Sequence, residues 1–269
     1  MTKKTIGLIA GNGKFPFLFA HQAKSQNYHI VTAGIKGDTS FFLRYFVGQY
    51  QEFGVGEFSK ICEYFKSAGI EKVLMVGQVN QDNLFKEGVQ YDEEAQRLWA
   101  ALEDRKADTI FSAVSDVLAK YGMEVADSTF LLKEFLAPKG TLTHQAPTVS
   151  QIEDIQFGRD LAKQMGGIDV GQTVVVKEKA IVAIEAMEGT DATILRGGKI
   201  AQRGAVVVKM SKPNQDFRFD VPVIGPRTIR KMIKSNCSCL AIESGKTIII
   251  DYAKTLCLAN KASITLVSV

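Results

Sequence analysis

The 269-residue chain is 46% hydrophobic and 23% charged, with a formal net charge of +4. That balance excludes disordered, collagen-like and coiled-coil chains and leaves room for one large domain or two modest ones. No apolar run reaches the ~20 residues that cross a bilayer, and Gly7 and Gly11 break the start too early for a signal-peptide core, so no export is expected. Lys and Arg are scattered and there is a single Trp, which leaves neither the basic stripe nor the stacking platform of a nucleic-acid binder. Cys62, Cys237, Cys239 and Cys257 match no disulfide framework and no CxxC zinc or redox spacing, and they are expected to be reduced.

The first half alternates strand and helix signals. Thr5-Ile6-Gly7-Leu8-Ile9-Ala10 reads as a buried strand ending in Gly11-Asn12-Gly13, followed by a helix over 15–25 and a second strand over 29–33. Phe58, Ile61, Cys62 and Phe65 have helical spacing and stop at Gly69; a third strand covers 72–77. Helices are expected over 92–105 and 108–121, and a short strand over 123–126. Strands alternating with helices of this length predict βαβ units and a mostly parallel sheet over 1–135. The Pro/Gly-containing stretch around Pro138 and Gly140 reads as a linker, 136–149.

The remainder, 150–269, is predicted as a second, mixed α/β domain. A helix over 150–165 has Ser150 as its expected N-cap with Glu153 three residues on. Thr173–Val176 and Ala180–Ile184 flank Lys177-Glu178-Lys179 as a hairpin, and 205–209 is another strand. A helix is expected over 228–234, strands over 240–242 and 247–250, and a closing helix and strand.

Three segments carry candidate chemistry. Gly11-Asn12-Gly13 lies between a first strand and a helix, where freed backbone N–H groups can approach phosphate. Pro16 stands where a dinucleotide fingerprint has its third glycine, and no P-loop Lys-Ser/Thr pair follows, so a ligand-free tight turn is an equal reading. Glu185, Glu188 and Asp191 lie within seven positions; they could hold a hard cation or sugar hydroxyls, or Thr190 and Asp191 could cap a helix starting at Ala192. In Lys212-Pro213-Asn214-Gln215-Asp216-Phe217-Arg218-Phe219-Asp220-Val221-Pro222, prolines fence two aspartates around an arginine. As an extended strand it would place Asp216, Arg218 and Asp220 on one face and Phe217, Phe219 and Val221 on the other. Carboxylates for a divalent metal or an attacking water, with a cation for charge on phosphorus oxygens, are the parts phosphoryl transfer needs; the bland reading is a surface ion-pair ladder.

These segments together resemble the LpxI family, the UDP-2,3-diacylglucosamine pyrophosphatases of lipid A biosynthesis. The similar stretches are Ile6 through Pro16, Gly171-Gln172-Thr173 through Val176, Ala183 through Asp191, and Lys212 through Gly225; Asn12 departs from the small residue expected there. The resemblance implies a Rossmann-like N-terminal domain, a family-specific C-terminal α/β domain and a ligand cleft between them. It implies hydrolysis of UDP-2,3-diacylglucosamine to UMP and 2,3-diacylglucosamine 1-phosphate by water attack on the α-phosphorus with Mg²⁺ or another divalent metal. The family's essential aspartate lands on Asp216 or Asp220, both also the implied metal ligands, with Arg218 opposing phosphate charge. Gly11, Asn12, Gly13, Gln78, Thr173, Glu188, Thr190 and Asp191 are the implied substrate contacts. A lipid substrate further implies a cytoplasmic protein with transient contact at the inner face of the inner membrane, and a homodimer is the base-rate expectation. Two other readings remain: an NAD(P)-dependent oxidoreductase, weakened by the missing third glycine and by Asp38 lying late for a ribose-binding acid, and a non-catalytic carrier of lipid or nucleotide sugar.

Overall fold

The computed structural model describes residues 4–79 and 89–269. They form two compact units: the chain up to Lys133 together with Phe217–Phe219, and Glu134–Asp216 together with Asp220–Val269.

The first unit runs β1 (Lys4–Ala10), α1 (Phe15–Ser25), β2 (Tyr28–Ile35), β3 (Gln49–Phe53), α2 (Phe58–Ser67), β4 (Lys72–Val76), α3 (Glu93–Ala101), α4 (Ala107–Lys120) and β5 (Glu124–Val125). Its strands are all parallel, in the order β3-β2-β1-β4-β5. Near-continuous apolar runs such as Ile6 to Ala10 and Val73 to Val76 are what a sheet covered on both faces requires. This is the expected Rossmann-like arrangement. The strand order reverses between β1 and β4, and the carboxyl ends flanking such a reversal form the usual ligand crevice of open α/β sheets. β3 escaped sequence reading because an edge strand reading Gln-Tyr-Gln-Glu-Phe carries no apolar run.

The second unit contains β6 (Gly140–Thr141), α5 (Val149–Gly167), β7 (Thr173–Lys177), β8 (Ala180–Ile184), α6 (Gly189–Ala201), β9 (Val206–Lys209), β10 (Val223–Ile224), α7 (Pro226–Lys234), β11 (Cys239–Ile242), β12 (Ile248–Ile249), α8 (Tyr252–Lys261) and β13 (Thr265–Ser268). Six strands form a mixed sheet ordered β6-β13-β11-β9-β7-β8, parallel through β13, β11 and β9 and antiparallel elsewhere. Alternation divides its core: Val174, Val176, Val206 and Val208 pack with Ile155 and Ala162 of α5, while Val175 and Val207 pack with Ile194 of α6 and Ile229 of α7. The hairpin turns on Glu178 and Lys179, both at positive φ (52° and 59°), as a two-residue primed turn requires. Asp154, buried, steadies it by accepting the Lys179 N–H at 2.7 Å and the Glu178 N–H at 3.1 Å.

Four expectations change. The stretch read as a linker, 136–149, is woven into this unit: β6 pairs with β13, and the Ala137 N–H donates to Thr247 at 2.8 Å. Helix α5 is capped by Thr148 with Gln151 rather than Ser150 with Glu153, because Thr148 and Gln151 close a reciprocal capping box. Helix α6 begins at Gly189, so Thr190 and Asp191 sit inside its first turn instead of preceding it. The strand read over 247–250 shrinks to β12, which pairs with β10 outside the main sheet.

Candidate active site

In the first unit, the glycine turn lies at the strand-order reversal. The Gly11 N–H donates to Val76 at 2.9 Å, the Asn12 N–H to the Gln78 carbonyl at 2.7 Å, and the Gln78 N–H returns to the Asn12 carbonyl at 3.1 Å. The Gly13 N–H is held at 2.6 Å by the Asn12 side-chain oxygen. The expectation that this loop frees its backbone donors is therefore not met: antiparallel bridging of Asn12 to Gln78 uses them. What the turn exposes are the side chains of Asn12, Lys14 and Gln78; the first turn of α1, which Pro16 opens, has Phe15 and Pro16 buried. The β2 end is tied in as well, since Thr39 donates through its hydroxyl to the Ala10 carbonyl.

The Asp216–Asp220 segment is a turn rather than an extended strand. The Asp220 N–H donates to the Asp216 carbonyl at 3.1 Å, so the two aspartates are brought together as the ends of one five-residue bend and not by strand alternation. The middle of the segment, Phe217–Phe219, belongs to the first unit. The Ser128 N–H donates to the Phe217 carbonyl at 2.9 Å, the Ser128 hydroxyl reaches the Arg218 carbonyl at 3.0 Å, and Phe219 stacks on Phe111 with ring centroids 5.9 Å apart. The Arg218 guanidinium lies 4.6 Å from the Phe219 ring and donates to the Ser115 hydroxyl at 3.3 Å.

In the second unit the ends of that bend meet a set of polar side chains. The Asp220 carboxylate accepts from the Gln172 amide and, at 3.1 Å, from the Gln215 amide, and the Lys212 ammonium stands 3.7 Å away. Lys212 is itself buried and ion-paired with Asp169. Gln215 closes the loop on itself: its amide donates to the Asp220 carbonyl at 2.6 Å while its oxygen accepts the Lys212 N–H at 2.8 Å. Asp169 and Gln172 each keep one buried side-chain oxygen without a hydrogen-bond partner. Sequence reading overlooked Gln172, Gln215, Lys212 and Asp169 as site residues. The one available signal was Lys212, three residues past the end of the valine-rich strand β9, where a charge is costly unless a partner meets it.

The other acidic segment does two jobs. Lys209, 7% exposed at the end of β9, donates to the Thr190 hydroxyl at 2.9 Å, and that hydroxyl donates to Glu185 at 2.8 Å. The second Glu185 oxygen and the buried Thr173 hydroxyl have no hydrogen-bond partner. Thr173 and Glu185 are adjacent across the sheet, the Glu185 N–H donating to the Thr173 carbonyl at 2.8 Å. Glu188 and Asp191 are instead engaged at the surface. Glu188 accepts from Arg196 at 2.5 Å and from the Ala186 N–H at 3.1 Å; partial burial pushes its carboxyl up, but these donors together hold it below the usual glutamate range. Asp191 pairs with Arg227.

A divalent metal can be tested against this donor set. Among the described residues no three His, Cys, Asp or Glu side chains gather as a metal cage. Mg²⁺ is commonly held by one or two carboxylates completed by substrate phosphates and water. Asp216 and Asp220, at the two ends of the turn, are the carboxylates that such a mode would enlist, the Asp220 carboxylate being already engaged by the Gln172 and Gln215 amides. Among the described residues no helix is long and apolar enough to cross a membrane.

Fold and site define a two-domain α/β protein whose Rossmann-like first domain is followed by a mixed-sheet domain bearing a carboxylate turn. The LpxI N-terminal domain matches residues 5–135 and the LpxI C-terminal domain residues 138–267, and the chain belongs to the LpxI family. It is 27% identical over 268 residues to the UDP-2,3-diacylglucosamine pyrophosphatase LpxI of Caulobacter vibrioides, covering 96% of this chain and 94% of that one. Among solved structures, the biotin carboxylase domain of Hydrogenobacter thermophilus 2-oxoglutarate carboxylase is similar at TM-score 0.25 and 11% identity, over 75% of this chain and 41% of that chain, a likeness too slight to bear on the fold.

Proposed function

We propose that this protein hydrolyses the pyrophosphate bond of UDP-2,3-diacylglucosamine, releasing UMP and 2,3-diacylglucosamine 1-phosphate in lipid A biosynthesis. The observation that carries the reading is the match of both halves to one family, with a full-length relative named for that reaction. The carboxylate turn supplies a chemical rationale. Water attacks the α-phosphorus, the bond from that phosphorus to the bridging oxygen breaks, and the bridging oxygen leaves on the lipid phosphate. One carboxylate of the Asp216–Asp220 pair takes the proton from the attacking water. Gln172 and Gln215, with Lys212 nearby, keep the Asp220 carboxylate in one orientation. Arg218, steadied by Ser115 and the Phe219 ring, opposes charge developing on the phosphoryl oxygens. Mg²⁺, held by Asp216 and Asp220 with phosphate oxygens and water, would neutralise the diphosphate.

The test is incubation of the purified protein with UDP-2,3-diacylglucosamine and Mg²⁺ in ¹⁸O water, with and without EDTA. The expected outcome is UMP carrying the label, and no turnover in EDTA. Label in the lipid phosphate would place the attack on the β-phosphorus, undiminished turnover in EDTA would remove the metal, and no UMP at all would sink the hydrolase reading.

A further inference from the structure

The first unit carries an aromatic surface that the hydrolase reading does not use. Between β2 and β3 the chain forms a short 3₁₀ turn, Phe41–Tyr45, pinned by Leu43, which is fully buried. Around that anchor Phe41, Phe42, Tyr45 and Phe46 are 50%, 67%, 70% and 48% exposed. The rings form two contacting groups on this one turn: Phe41 meets Phe42 and Tyr45 edge-on at 6.3 and 6.2 Å, and Phe46 meets Phe17 of α1 at 5.4 Å. Exposed Arg44 stands over it, its guanidinium 4.0 Å from the Phe41 ring and 5.4 Å from Tyr50. From Thr39 to Gln51 the sequence has no Asp or Glu.

From this geometry we infer that the Phe41–Phe46 turn is a docking surface for an anionic lipid bilayer. Four rings exposed to this degree present on the order of 450 Å² of aromatic surface, well short of the roughly 800 Å² per partner that a specific protein interface buries. A bilayer demands no such shape-matched area. Aromatic rings sit at the headgroup level, an arginine reaches the phosphates while its stem stays apolar, and a stretch without carboxylates is not repelled by anionic lipid. This surface goes beyond the hydrolase reading and does not depend on it.

The experiment is co-sedimentation of the full chain, without substrate, with vesicles of phosphatidylcholine alone or mixed with phosphatidylglycerol, at low and high salt. The wild type should pellet with the mixed vesicles. The Phe42→Ser/Tyr45→Ser double variant should lose about tenfold or more in vesicle partitioning while keeping its far-UV circular dichroism and its turnover of detergent-dispersed substrate. Arg44→Gln should lose only the increment that phosphatidylglycerol adds, together with its salt sensitivity. Wild-type protein that stays in the supernatant, or a double variant that pellets like the wild type, would overturn the inference. So would a wild-type dimer in sedimentation velocity that the double variant abolishes, since that would assign the patch to a second copy of the chain.

Discussion

Replacing Gly11 and Gly13 separately by alanine distinguishes what the two glycines of the first turn are for. A Cβ on Gly11 would lie 2.6 Å from the Gln78 carbonyl oxygen, 2.8 Å from its carbon and 2.9 Å from the Gly77 carbonyl carbon. Backbone on that side cannot yield without parting the ends of β1 and β4. The reciprocal Asn12–Gln78 hydrogen bonds would be lost at about 1 kcal/mol each, and the overlap itself costs about 1–3 kcal/mol, so Gly11→Ala should destabilise the first unit by about 3–5 kcal/mol. A Cβ on Gly13 meets nothing within 4 Å. Its cost is the backbone alone, held at φ +98°, where a side chain adds about 1–2 kcal/mol. Urea unfolding followed by circular dichroism, alongside UMP release, measures both consequences. Gly11→Ala should shift the midpoint strongly, whereas Gly13→Ala should shift it weakly and lower turnover more than stability if the open side of the loop meets substrate. If Gly13→Ala proves the more destabilising of the two, the close approach of Gly11 to Gln78 is not what the first glycine serves, and the reasoning is refuted.

Further outcomes follow from the second half of the chain. Asp216→Asn and Asp220→Asn should each lower kcat by about a hundredfold or more with a much smaller change in KM; near-normal rates in both would remove the turn from the chemistry. Arg218→Lys should lower kcat/KM by about tenfold, because an ammonium replaces neither the planar contact with Phe219 nor two-pronged phosphate binding, and unchanged kinetics would count against a phosphate role. Glu243 offers a stability test. Burial pushes its carboxyl up, but Lys163 at 2.5 Å, the Ser211 hydroxyl at 2.5 Å and Lys246 at 3.0 Å overcome this and bring it down to about 2. Because the folded value is depressed, the stabilisation is complete above about pH 4.5, the ordinary glutamate value, and is lost as pH falls toward 2. Glu243→Gln should therefore cost about 2 kcal/mol near neutrality, allowing for partial exposure of the lysines, and should flatten the acid limb of the urea midpoint against pH; parallel limbs for the two proteins would contradict it.

Most elements were legible because their periods are clean. The helix carrying Phe58, Ile61, Cys62 and Phe65 declares itself by spacing, and the parallel sheet of the first unit follows from the alternation of strands and helices there. The family was legible too, because glycine, proline and carboxylate motifs appear in order along nearly the whole chain. The errors fell where local signals compete. Ser150 and Thr148 are both sound caps, and only the reciprocal bonding with Gln151 separates them.

The sequence by itself determined the α/β class, the two-domain division near residue 135 and the family, since each rests on local periodicity or on motifs contiguous in the chain. Tertiary structure alone decided how the candidate site is assembled. Alternation placed Asp216, Arg218 and Asp220 on one strand face, yet Phe217–Phe219 pack with Ser128 and Phe111, about a hundred residues upstream, and the Asp220 N–H turns back to the Asp216 carbonyl. Likewise nothing local says that Gln172 and Lys212 converge on Asp220. Such contacts link residues far apart in sequence, and the burial that makes them favourable exists only once the sheets have formed.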